Sequence, residues 1–126
     1  MKIATKEVNG ITILKLAGRL TLEEIHSLEA QTKDLFASGK SRMAINMIDV
    51  RDLSSTGIAK ILAIKRTLES RGGALVLSDL SPVTEHVLDL AGLMEAFTIC
   101  KNDAAAIEAL MARKVEAVRA PDEFLP

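Results

Sequence analysis

Hydrophobic and polar positions change period several times along the chain. Met1–Val8 and Ile11–Ala17 are short apolar-rich segments separated by Asn9-Gly10. Asn and Gly both accept positive φ, which a two-residue hairpin turn requires, so this spacing predicts an antiparallel pair of strands. After Gly18-Arg19-Leu20 the period becomes helical. Leu22, Ile25, Leu28, Leu35 and Phe36 fall on one inner face, with Glu23, Lys33 and Asp34 pointing outwards. Thr21 and Glu24 have capping-box spacing at the start of this helix, and Gly39 supplies a stop.

The run Met43–Ile48 is apolar except for Asn46, the pattern of a strand covered on both faces. A polar loop is expected from Asp49 to Ser54. A second helix then starts near Ser55-Thr56-Gly57, carries Ile58, Ile61, Leu62, Lys65 and Leu68, and stops at Gly72-Gly73. Ala74–Leu77 reads as a fourth strand. Ser81-Pro82 opens a third helix with the imino acid at the first helical position, where its missing N–H costs nothing. That helix presents Val83, Val87, Leu88 and Ala91 and ends at Gly92. Phe97–Cys100 is a short fifth strand, and Asn102-Asp103 caps a last helix with Ile107, Leu110 and Met111 inside. Helices and strands alternating after an opening hairpin predict an α/β fold, with a mostly parallel central sheet flanked by about four helices.

Composition narrows the function classes. The 126 residues fit one domain, and 16 basic against 17 acidic residues leave a net charge of −1. A balanced charge argues against an electrostatic grip on nucleic acid or an anionic membrane. With 2% aromatic residues there are few stacking platforms for single-stranded nucleic acid. No apolar run approaches the roughly 20 residues that span a bilayer, so membrane insertion is not expected. The single cysteine, Cys100, excludes an intrachain disulfide. A cytoplasmic location follows as the expectation.

In parallel sheets, sites gather at the carboxyl ends of strands. Here that places Ser54-Ser55-Thr56-Gly57 at a helix N-terminus. Two readings stand side by side. Hydroxyl side chains at that position are ordinary helix caps. The same position also tolerates a phosphoserine, because the free backbone N–H groups and the helix dipole favour an anion.

The segment Ile45–Gly57, continuing through Leu62, resembles the central motif of STAS domains, the family of bacterial anti-sigma factor antagonists and their relatives in stressosomes and anion transporters. Further landmarks are Gly18-Arg19-Leu20, Arg71-Gly72-Gly73 and Leu90-Ala91-Gly92-Leu93. The resemblance covers about residue 2 to residue 113. It implies a STAS domain over 1–113; the C-terminal tail over 114–126, with two prolines, scattered charge and no periodicity, is expected to be mobile, with Phe124 and Leu125 as candidates to dock. It further implies an anti-sigma factor antagonist controlled by phosphorylation at Ser55, with Thr56 and Ser54 as lesser alternatives. The implied partners are an anti-sigma factor that is also a serine kinase, a serine phosphatase and other STAS domains. A contact face of Asp52, Leu53, Ser54, Ser55, Thr56, Gly57, Ile58 and Lys60 follows, with Ile58 as the apolar anchor. Family acidic positions are neutral in this chain at Ser54, Asn46 and Thr21. These departures keep open an alternative, a STAS scaffold without phosphorylation in a stressosome-like or transport-associated complex.

No catalytic residue, metal site or cofactor is expected. His26 and His86 are isolated on helices, and Gly72-Gly73 is a helix-to-strand turn. Asp49, Ser78 and Lys101 each follow a strand as in phosphoaspartate receivers, but the acidic pair that such domains need after the first strand is absent. Ligand binding in the crevice near Ser54 has no support beyond the fold class.

Overall fold

The computed structural model describes residues 2–112. The tail expected over 114–126 lies outside the described residues. Strands β1 (Lys2–Val8) and β2 (Ile11–Leu20) form the antiparallel hairpin, from Lys2 opposite Ala17 to Val8 opposite Ile11. Its turn is Asn9-Gly10 with φ of 54° and 79°, as the dipeptide predicts. Helix α1 (Leu22–Ala37), strand β3 (Arg42–Leu53), helix α2 (Ser55–Ser70), strand β4 (Ala74–Ser78), helix α3 (Pro82–Leu90), a short 3-10 turn at Met94–Ala96 and strand β5 (Ile99–Cys100) follow. A last helix, α4, covers 103–112 of the described residues. Strand order is β1-β2-β3-β4-β5, and every pair after the hairpin is parallel.

Alternating side chains divide the core between the two faces of the sheet. Leu14, Leu16, Met43, Ile45, Leu75 and Leu77 face one way and pack with Ile25 and Leu28 of α1, Ile58, Ile61 and Leu68 of α2, and Leu88 of α3. Ile11, Ile13, Ala44 and Val76 face the other way and meet Ala106 and Leu110 of α4.

The expected loop Asp49–Ser54 is a correction, because β3 continues to Leu53. The register shows why the pattern misleads. Lys15 pairs with Asn46 but Ala17 with Asp49, and Gly18 pairs with Val50 but Arg19 with Asp52. Each step places one extra residue on β3, so two bulges turn a period of two into a period of three. Met47, Val50 and Leu53 are buried, while Ile48, Asp49, Arg51 and Asp52 are exposed. Leu20 ends up opposite Leu53, and β2 likewise runs three residues past its expected end.

Three smaller expectations change. Thr21 sits at the N-cap of α1, but its side chain makes no cap hydrogen bond. Leu22, expected inside, is 51% exposed, because the first helical residue projects past the end of the sheet. Ala91 and Met111, also expected inside, are exposed.

Candidate functional site

The parallel pairing of β2 with β3 builds the site. Leu20 and Leu53 are partners at the ends of their strands, so α1 and α2 start side by side on one rim. Ser54 is the N-cap of α2, with φ −83° and ψ 159°, and its hydroxyl accepts the Gly57 N–H at 3.0 Å. This bond satisfies one of the backbone donors that a helix start leaves open. Capping is therefore the role of Ser54. Ser55 is the next residue and the first of α2; it is exposed, as is Thr56.

Gly57 is needed for close approach. A Cβ there would lie 3.0 Å from the Leu20 carbonyl oxygen, 3.3 Å from Leu53 Cδ1 and 3.4 Å from Ser54 Oγ. Its absence lets the first turn of α2 rest against the end of β2. The first turn of α2 contains no acidic residue, whereas that of α1 contains Glu23 and Glu24. An anion arriving at Ser55 meets unsatisfied N–H dipoles and no carboxylate in its own turn.

The expected contact face separates into two layers. Asp52, Ser54, Ser55 and Thr56 are exposed, and Lys60 is half-buried with its Nζ 3.7 Å from Glu29 Oε1 on α1. Leu53, at 4% exposure, and Ile58, at 0%, belong to the core, and Gly57 is buried. Ile58 as a partner anchor is thus a correction: a side chain with no accessible surface holds the rim from beneath and cannot touch a partner. Leu22, which the helical pattern assigned to the interior, is exposed on this rim.

Two of the three neutral family positions, Ser54 and Asn46, have physical accounts. Ser54 caps the helix. Asn46 is buried on the α4 side of the sheet, away from α1 and α2. Its Nδ2 donates to Asp103 Oδ1 at 2.8 Å and to Asp79 Oδ2 at 3.1 Å, and its Oδ1 accepts the Ile48 N–H at 3.0 Å. Ser78 Oγ also donates to Asp103 Oδ1, at 2.9 Å. These bonds tie the start of α4 to β3 and β4. An ionised aspartate at 46 would bring a third carboxylate to a place that now has an amide donor.

His26 and His86 are exposed on α1 and α3. A groove of about 450 Å³ between α1 and α2 is lined by residues that include His26, Phe36, Ile64, Leu68 and Arg71, and it does not reach Ser54. No helix among the described residues is long and apolar enough to cross a membrane.

Comparison with known proteins matches this arrangement. BtrV of Bordetella bronchiseptica, named as a candidate anti-sigma factor antagonist, is 26% identical over 109 residues, covering 86% of this chain and 94% of BtrV. A Thermotoga maritima structure, described as a candidate anti-sigma factor antagonist, superposes with a TM-score of 0.79 at 24% identity, covering 86% of this chain and 94% of the other. The anti-sigma factor antagonist SpoIIAA in its unphosphorylated form gives 0.75 at 19% identity, covering 88% and 97%. Bacillus SpoIIAA in the phosphorylated form gives 0.67 at 20%, covering 86% and 98%. The STAS domain family model matches residues 2–106. With that span, the β-hairpin, the bulged third strand and the capped second helix all included, the chain belongs to the STAS domain family.

Proposed function

We propose that this chain is a cytoplasmic anti-sigma factor antagonist and that Ser55 is its phosphoacceptor. The domain spans 1–113 in this reading, with 114–126 as a separate tail. Its partner is an anti-sigma factor with serine kinase activity. The Ser55 oxygen attacks the γ-phosphorus of ATP held by that kinase. A new P–O bond forms, ADP leaves, and the hydroxyl proton passes to a base on the kinase. A serine phosphatase hydrolyses the ester and restores the hydroxyl.

The observation that carries the reading is the division of labour between adjacent serines. Ser54 spends its oxygen on the Gly57 N–H, whereas Ser55 is exposed at the first position of α2. Phosphorylation adds a charge of about −1.5 to −2 there. The helix terminus accommodates it, while a partner surface packed dry against the rim does not. Binding the unphosphorylated form and releasing the phosphorylated one follow from that asymmetry.

The test is intact-mass analysis of the purified chain after incubation with ATP and extract of its source organism, followed by site mapping. One phosphoryl group on Ser55 is expected, lost in Ser55→Ala and kept in Ser54→Ala. Ser55→Asp weakens binding to the anti-sigma factor, and Ser55→Ala binds constitutively. An unmodified chain, or a phosphoryl group mapped to Ser54, overturns the reading; the unmodified outcome supports the scaffold alternative.

A further inference from the structure

Helices α1 and α2 pack against each other on one face of the sheet, and both run from the carboxyl ends of the strands to the amino ends. The groove between them, about 450 Å³, has the size of a binding cleft, about 300–1,000 Å³. Small side chains open it: Ala30 of α1 and Ala63 of α2 are exposed on its walls, while Ile64 and Leu68 line it from buried positions. At the end nearest the amino ends of the strands it is lined by half-buried Phe36, with the Arg71 guanidinium 5.3 Å from the ring centre, and by exposed Lys33. Glu29, the acidic lining residue, lies one turn before Lys33 and already has His26 at 3.4 Å and Lys60 at 3.7 Å. Lys33 has no carboxylate partner among the described residues. The groove is thus an apolar trough with two cations at one end.

Residues 120–126, Ala-Pro-Asp-Glu-Phe-Leu-Pro, carry the complement: two carboxylates, then two large apolar side chains, and no cation. The topology brings them within reach. Asp103, at the start of α4, bonds to Asn46 and Ser78 where β3 and β4 end their pairing. From there α4 lies along the other face of the sheet, where Ala106 and Leu110 share a core with Ala74 and Ile11, the first residues of β4 and β2. Its ten residues, 103–112, rise about 15 Å, the length of β4. Residue 112 therefore emerges at the amino ends of the strands, the same edge at which Phe36 and Arg71 stand on the opposite face. Each packed layer adds about 10 Å, so the way around that edge is about 20 Å. The twelve residues from 112 to 124 span up to about 40 Å.

We infer that residues 120–126 of this chain dock into the groove between α1 and α2, with Phe124 and Leu125 on the apolar lining and Asp122 and Glu123 beside Lys33 and Arg71. Tethering sets an effective concentration in the millimolar range, so a contact too weak to join separate molecules holds within one. The apolar side chains supply most of the attraction and the exposed charges fix the direction in which the segment lies. Neither Ser54 nor Ser55 lines the groove, so docking stands apart from phosphorylation.

The test is NMR of the full chain with labelled alanine methyls, the Phe124→Ala, Leu125→Ala double variant serving as the undocked reference. The Ala30 and Ala63 methyl resonances differ between the two chains, Ala106 on the other face does not, and the Phe124 ring shows NOEs to the Ala30 and Ala63 methyls. Lys33→Glu lowers the docking equilibrium about threefold to fivefold, read from the positions of those methyl resonances, and Lys33→Arg preserves it. Lys33 is exposed, so neither substitution disturbs the core. If the double variant leaves Ala30 and Ala63 unshifted, the segment does not enter the groove and the proposal fails. If the resonances move with protein concentration, or NOEs cross between labelled and unlabelled copies, the occupant is the segment of a second copy and docking within one chain is refuted. A Lys33→Glu chain that docks as strongly as the unsubstituted one refutes the charge match that selects this segment.

Discussion

Ile58 separates two accounts of the contact face, because sequence places it beside Ser55 and the structure places it in the core. Truncating it to alanine removes three carbon atoms from a side chain that is 0% exposed. At about 0.8 kcal/mol per buried methylene the transfer loss is about 2.4 kcal/mol. The void left in the core cluster that Ile58 shares with Leu20, Leu53 and Ile61 raises this to about 3 kcal/mol, within the range for large-to-small core changes. A urea slope of about 1.5 kcal/mol/M turns that loss into a midpoint lowered by about 2 M. Far-UV circular dichroism is the appropriate probe, since the chain has neither tryptophan nor tyrosine to report by fluorescence. Binding to the anti-sigma factor, measured well below the new midpoint, changes little. An Ile58→Ala chain that unfolds at the original urea concentration but binds tenfold more weakly would refute the burial argument and restore Ile58 to the interface.

Two other outcomes follow from the polar contacts. Asn46→Asp replaces a donor to Asp79 and Asp103 with a third carboxylate, which costs about 2–4 kcal/mol at pH 7 by urea unfolding. The loss shrinks on acidification, because a protonated carboxyl at 46 again donates one hydrogen bond; a loss that does not change with pH would exclude the charge explanation. Glu7 is held below the usual carboxylate range, chiefly by its hydrogen bond from Lys40, with Lys40's charge and the Thr12 hydroxyl adding to it and burial opposing it. A carboxylate stabilised in the folded state contributes above its unfolded pKa and loses that contribution as pH falls through its folded value. The stability difference between the unsubstituted chain and Glu7→Gln is therefore expected at about pH 6 and shrinks as pH falls below the usual carboxylate range, and is small throughout because the pair is exposed. A difference that grows as pH falls would contradict the lowered pKa.

Most of the architecture was legible because local signals agreed with one another. Asn9-Gly10 fixed the hairpin, Ser81-Pro82 fixed the start of α3 with the Ser81 hydroxyl accepting the Thr84 N–H, and Asn102 caps α4 through the Ala105 N–H. The third strand was misread where tertiary pairing overrode period. Asp49, Arg51 and Asp52 look like a polar loop when side chains are assumed to alternate. Two bulges rotate them all outwards while Met47, Val50 and Leu53 stay in the core. Single-sequence periodicity contains no signal for an inserted residue on a paired strand. The glycines and charges that often mark a bulge are also those of a loop.

The site was legible at a coarser level, and the reason is the same strand. Motif resemblance located Ser55, but neighbours along a motif are not neighbours on a surface. The second bulge carries β3 on to Leu53, which pairs with Leu20 and sets the origins of α1 and α2 side by side. From that origin a helix turns about 100° per residue. Three residues bring α2 back to within about 60°, so Ser55 and Ile58 share a side: Ser55 is exposed because the first residue stands past the end of the sheet, Ile58 is buried a turn further along, and Gly57 lies against the Leu20 carbonyl. The surface around Ser55 is completed by α1, more than thirty positions earlier in sequence, where a leucine that fits the inner face of a helical wheel has no sheet left beneath it. Strand length decides which leucines at the rim are core and which is exposed. Shortening β3 by its bulged residues would move the start of α2 down the sheet and away from the start of α1, even with every motif residue unchanged.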